Sequence, residues 1–222
     1  LGEQVAEKLD GPKYDKARFE NALSEIRGLT CTAPEFFEPR MRELLRDAGV
    51  LLALVPAIPR AHVSGVARWL NPTRPLIQLS LYGKTNDKFW FTFPEAAHIL
   101  LHADSKEAKK SIFLDDPNAN HSPDPREQEA NQWAGNVLIP QAYSRALGTL
   151  RTKEAVRAFA TSIGIHPGIV VGRLQHDHII DPSWMNDLKL SFALLPKTQM
   201  HSAPCLFGQS MAGNTATHLR VK

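Results

Sequence analysis

Phe89-Trp90-Phe91-Thr92-Phe93-Pro94-Glu95-Ala96-Ala97-His98-Ile99-Leu100-Leu101-His102 sets two histidines and a carboxylate at helical spacing in the most apolar part of the chain. Residues three and four apart share a helix face, so Glu95 lies with His98, and His98 with His102. A zinc-hydrolase helix reads His-Glu-x-x-His: two histidines four apart hold the metal, and the glutamate beside the first acts as general base. Glu95-Ala96-Ala97-His98 fits that pattern, and Pro94 stands in the place of the first histidine. Proline costs about 3 kcal/mol inside a helix and almost nothing at its first position, so the sequence predicts a helix that begins at Pro94 with Phe93 as N-cap. There Glu95 would sit in the first turn, where the helix dipole favours a negative charge without any catalytic purpose.

A catalytic zinc needs about three protein ligands and a water. Downstream, Asp124-Pro125-Arg126-Glu127 opens a helix with Asp as N-cap, proline at the first position and glutamate at the third. Glu127 shares its face with Ala130, Asn131, Ala134 and Leu138, which points it inward, whereas Glu129 points elsewhere. The competing reading of Glu127 is a capping-box glutamate that needs no metal. As a site, the set is Glu95 as base, His98 and Glu127 as metal ligands, and Asn131 orienting a ligand from one turn on. His102 is the alternative ligand of a centre displaced by one turn. Two ligands without the first histidine predict zinc binding that is weakened or absent.

Working outward, Phe19, Ala22, Leu23, Ile26 and Leu29 recur at three and four, and a second helix runs over residues 35–48 with Gly49 as its stop. Residues 50–55, 63–70 and 76–81 read as strands, and the prolines of Asn71-Pro72-Thr73-Arg74-Pro75 suit a turn rather than a central ladder. Ser111-Ile112-Phe113-Leu114 and a loop rich in Asp, Asn and Pro over residues 115–122 follow the motif helix. Helices, a small sheet and then the motif helix indicate an α+β fold. Residues 141–192 read as helical, with two short helices joined by Gly164-Ile165-His166-Pro167 in the manner of a helix-turn-helix. Only Lys153 and Arg173 lie nearby as phosphate contacts, so this fragment is not expected to bind nucleic acid directly. His176 and His178 flank Asp177 in a polar turn and are read as surface residues. The expected division is an arm over 1–17, a main domain over 18–144, a helical subdomain over 145–194 and a loosely ordered tail over 195–222.

Composition supports a packed core: 222 residues with 43% apolar content. Lys+Arg number 26 against 23 for Asp+Glu, an excess too small to mark a nucleic-acid or anionic-membrane binder. Cys31 and Cys205 form no ligand pair, no apolar run reaches the roughly 18 residues of a membrane span, and no signal segment opens the chain. The expectation is a cytoplasmic protein with no membrane partner. The chain opens at Leu1 rather than Met, which suggests a fragment with a region upstream.

Residues 89–93, 95–102 and Val63-Ser64-Gly65-Val66-Ala67-Arg68-Trp69, together with Glu127-Gln128-Glu129-Ala130-Asn131 and the later Val137-Leu138-Ile139-Pro140, resemble the ImmA/IrrE family of metallo-endopeptidase domains. Residues 155–175 look like the C-terminal portion of members fused behind helix-turn-helix repressors, including HigA-type antitoxin regulators. The resemblance covers residues 19–192. It implies a zincin-like α+β fold and, in active members, cleavage of a repressor or regulator by a zinc-activated water. It carries Glu95 onto the general base, His98 onto the second histidine ligand and Glu127 onto the glutamate ligand. Family members commonly read Phe-His-Glu where this chain reads Phe-Pro-Glu. The expected function is a zinc metallo-endopeptidase-like domain acting on a regulator, impaired at Pro94. The alternative is an inactive sensing or protein-binding module of a transcriptional regulator or antitoxin.

Overall fold

The first helix among the described residues, α1 (Lys16–Gly28), is capped by Asp15, whose carboxylate accepts from the Arg18 backbone N–H at 2.9 Å, and it buries Phe19, Ala22, Leu23 and Ile26. This computed structural model describes residues 11–55, 65–80, 85–102, 112–115 and 124–190, with backbone alone at 34–35, 80, 85–92 and 112–115. Helix α2 (Pro34–Asp47) stops at Gly49, whose φ of 78° suits glycine. Gly49 N–H bonds to Arg46 C=O and Val50 N–H to Leu45 C=O, the paired bonds of a Schellman end. A Cβ at Gly49 would also lie 2.5 Å from the backbone of Lys13 and Tyr14. That backbone is tied down in turn, since Tyr14 N–H donates to Thr73 C=O and the Tyr14 ring packs edge-on against Phe19 and Trp69. Residues 11–17 are therefore packed against the domain rather than a free arm; residues 1–10 lie outside the described residues.

Among the described residues four strands form one sheet: β1 (Leu51–Val55), β2 (Gly65–Asn71), β3 (Arg74–Ser80) and β4 (Ile112–Asp115), in the order β1-β3-β2-β4. β1 runs parallel to β3, while β2 runs antiparallel to both β3 and β4. The β2–β3 hairpin turns at Asn71, whose side-chain oxygen accepts from the Thr73 backbone N–H and hydroxyl. Pro75 corrects the sequence reading, because it lies inside the central strand β3, opposite Trp69. It is tolerated there because the ladder shifts register between Trp69 and Asn71, and β1 joins only from Leu76 onward. β4 takes in the apolar residues 112–114, a run too short for periodicity to announce.

Helix α3 spans Thr85–Leu101 with Pro94 in its interior. The expected start at Pro94 is thus corrected. Proline keeps a helical φ and forfeits one bond to the carbonyl of residue 90, while the turns on either side stay hydrogen-bonded. Packing holds the rest: Phe93, Ala96, Ala97, Ile99 and Leu100 are all buried, and α3 lies across β2 and β3. Pro39 rides inside α2 in the same way.

Helices α4 (Pro125–Leu138), α5 (Ser144–Leu147), α6 (Lys153–Ser162) and α7 (Pro167–His176) complete the described structure, with short 3-10 turns at 29–31, 141–143 and 186–188. The class is α+β, as expected. One apolar cluster runs from Phe19 through Leu79, Phe93 and Leu138 to Ile169, Val170 and Leu188, so the core continues across residue 144 without a break. The α6 and α7 axes differ by 113°, a helix-turn-helix-like angle. Yet α7 buries Ile169, Val170, Val171 and Leu174 and packs on α3, leaving little of it to enter a groove.

Arg27 ties these parts together. Its Nε donates to Val137 C=O at 3.0 Å and Leu138 C=O at 3.2 Å, and its Nη2 to Leu138 C=O at 3.1 Å and Ile163 C=O at 2.9 Å. Those carbonyls close the C-terminal ends of α4 and α6, where a cation is favoured. Cys31 is an exposed free thiol; Cys205 and the expected tail from residue 195 lie outside the described residues. No single helix among the described residues is long and apolar enough to cross a membrane.

Candidate histidine and carboxylate site

The motif helix and α4 pack side by side, and their facing sides carry the polar residues singled out in the sequence. Glu95 is 1% exposed and His98 is 2% exposed, a severe desolvation for an ionisable pair unless each is compensated. The space for Glu95 comes from Gly65, the first residue of β2. A Cβ there would fall 2.9 Å from Glu95 Cγ and Cδ and overlap Oε1. Glycine at 65 is thus required by a close approach rather than by backbone conformation. The glycine itself belongs to a quoted segment, but only the fold shows what it makes room for.

His98 Nε2 lies 3.3 Å from Glu127 Oε2, across the α3–α4 interface. Glu127 owes this position to the start of α4. Asp124 caps the helix, accepting from the Arg126 backbone N–H at 3.0 Å, and Glu127 N–H bonds to Asp124 C=O. The Arg126 side chain also grips the Asp124 carboxylate, which drops to about 2 in pKa chiefly through that side-chain bond and secondarily through the backbone bond. With the cap already supplied, the Glu127 side chain turns inward to His98.

The other nitrogen of His98 faces His102: the two Nδ1 atoms are 3.0 Å apart. His102 Nε2 in turn lies 3.1 Å from Glu129 Oε2. Glu129 is therefore part of the constellation, which corrects the expectation that it points away. Positions 127 and 129 do leave α4 in different directions, but His98 and His102 span a full turn of α3, and the long exposed Glu129 side chain reaches the outer ring. Two Nδ1 atoms at hydrogen-bond distance need one proton between them, one ring donating and the other accepting. The row Glu127, His98, His102, Glu129 is thus a line of polar contacts running from interior to surface.

Asn131, expected to steady a ligand, makes no hydrogen bond to Glu127 or His98. It lines a separate cavity on α4 with Gln128. His176 and His178 are exposed as expected, and His176 Nδ1 shares the Asp177 carboxylate with Arg173.

The zinc expected from the sequence can be tested against this geometry. Two ligands on a tetrahedral zinc at about 2.1 Å stand about 3.4 Å apart, so His98 Nε2 and Glu127 Oε2, at 3.3 Å, are close to the spacing of two ligands. Among the described residues no third ligand joins them. Pro94 has no donor atom, and His102 meets His98 through the opposite ring nitrogen, away from Glu127. Among the described residues no three metal-ligating side chains converge on one point. Among the described residues, His98 and Glu127 alone do not complete a catalytic zinc centre. No protein-family model matches the chain, and no curated protein matches it as a relative.

Proposed function

We propose that the chain is a zincin-like metallo-endopeptidase-type domain of the ImmA/IrrE kind, directed at a helix-turn-helix repressor or similar regulator protein, with hydrolysis impaired at Pro94. The observation that supports this reading is the buried His98–Glu127 pair beside buried Glu95, on two helices that share an interface. Hydrolytic centres gather buried ionisable groups of this kind. In this reading Glu95 is the general base, His98 and Glu127 are the surviving ligands, and the helix continuity through Pro94 keeps the first-ligand position in register with His98. Pro94→His would then place an imidazole one turn before His98.

The test is metal content. The parent protein should hold well under one zinc per chain, and Pro94→His should approach one, a gain abolished by adding His98→Ala or Glu127→Ala. A Pro94→His protein that binds no more zinc than the parent would sink the reading. A second reading, a module that binds a regulator without cutting it, is favoured by one observation: His102 takes up the second nitrogen of His98 and meets Glu129 through its own outer nitrogen. Stoichiometric zinc in the parent, with proteolysis lost on Glu95→Gln, would overturn that alternative.

A further inference from the structure

The outer face of α4 borders a cavity of about 490 Å³ that the histidine site does not use. Its floor includes buried Ile139 and Leu147, and its wall carries five side-chain amides, Gln128, Asn131, Gln132, Asn136 and Gln141. Among the described residues none of these amides is hydrogen-bonded to another side chain. Gln128, Gln132, Asn136 and Gln141 are exposed and Asn131 is half-buried, so the two donors and the acceptor that each carries can be reached by a ligand. The four on α4 sit at i, i+3, i+4 and i+8, a row of about 12 Å at 1.5 Å per residue. The same length is covered by three to four residues of extended chain at about 3.3 Å each.

The far wall is Arg173 on α7. Its Nε is fixed by Asp177 Oδ2 at 2.6 Å, and its side chain is only 23% exposed. Burial raises the Asp177 carboxyl, but the bonds from Arg173 and His176 together outweigh it and hold the group below its usual range. Asp177 thus stays a carboxylate that orients the guanidinium, whose two terminal nitrogens are left for another acceptor. A guanidinium held in this way takes a carboxylate through paired bonds.

Neutral amides in a row match a ligand that alternates N–H and C=O, and an oriented guanidinium at the end of the row matches a carboxylate. A phosphate backbone would call for cations along the row, and a hydrocarbon would call for none of these groups. We infer that this cleft binds an extended polypeptide segment through its main chain, with an acidic side chain of that segment on Arg173. The inference is independent of the zinc reading, since no residue of the Glu95, His98 and Glu127 set lines the cleft.

The experiment uses the full chain and two acetylated, amidated pentapeptides, valines around a central aspartate and the same peptide with asparagine. Binding is followed by calorimetry and by amide chemical shifts. The expected result is saturable binding of the aspartate peptide, with shifts at residues 128–136 and 173, and about tenfold weaker binding of its asparagine twin. Arg173→Gln should erase that difference. Asn136→Asp, which removes an amide donor from the row and adds a negative charge, should weaken both peptides, and the aspartate peptide more. Equal affinity for the two peptides, no binding of either, discrimination that survives Arg173→Gln, or tighter occupation of the same cleft by a short oligothymidylate would each overturn the inference.

Discussion

Two polar clusters are buried between helices here, and they are built on opposite terms. At Arg27 every bond runs from a fixed cation to a main-chain carbonyl at a helix end, so donors and acceptors match in any ordinary solvent condition. Around His98 the contacts run between imidazole and carboxylate side chains, and the Nδ1–Nδ1 contact needs one ring to donate and the other to accept. The first cluster is closed and serves cohesion. The second joins side chains of two helices to one another rather than to the main chain.

The sharpest way to break the contrast is at the closed cluster. Arg27→Met leaves three carbonyls short of their donor and should cost about 3 kcal/mol in urea unfolding, and Arg27→Lys should recover little of it because an ammonium cannot fork to both helix ends. Next comes the cluster around His98. Gly65→Ala drives a methyl into Glu95 and should cost about 2 kcal/mol, yet in a Glu95→Ala background the same change should be nearly neutral, because all three nearest atoms belong to Glu95. A strong loss in both backgrounds would mean that Gly65 is needed for β2 itself.

A smaller effect separates the clusters by pH. His166 Nδ1 accepts from Gly168 N–H at 3.0 Å to cap α7, and burial pushes its pKa down. The unfolded chain, with histidine near 6.5, therefore takes up the proton before the folded one does. Stability from this cap should be complete above about pH 6.5 and fall as the pH drops below it, toward the lowered folded value. His166→Asn keeps a capping side chain and should remove this part of the slope in pH-dependent unfolding. Smallest of all, His178 ends α7 with a φ of 55°, where α2 and α6 use Gly49 and Gly164. His178→Gly should add up to about 1 kcal/mol, read as a rise in thermal midpoint.

The helix boundaries were legible in the sequence wherever a local rule decided them. Asp124-Pro125 opens α4 and Gly49 closes α2 because capping depends on residues within one turn. The α+β class followed from element order for the same reason. What could not be read was anything set by partners distant in the chain. Pro94 stays inside α3 because the sheet beneath holds Phe93 to Leu100 in place, and Pro75 stays inside β3 because β1 joins one residue later. In the site, the facing of His98 and Glu127 was foreseen from helical periodicity. Glu129 and Gly65 were not, because one depends on the reach of a long side chain between helices and the other on how closely a strand approaches a helix.

The Arg27 clamp also bears on how the protein folds in time. Its bonds join residues 110, 111 and 136 positions apart, and closing loops of that size is entropically late work. The α4 and α6 ends must be in place before the guanidinium can find them, so the clamp belongs to the last consolidation of the fold and not to its nucleus. Its loss should leave the refolding rate almost untouched and appear as faster unfolding, the kinetic mark of a bolt closed after assembly.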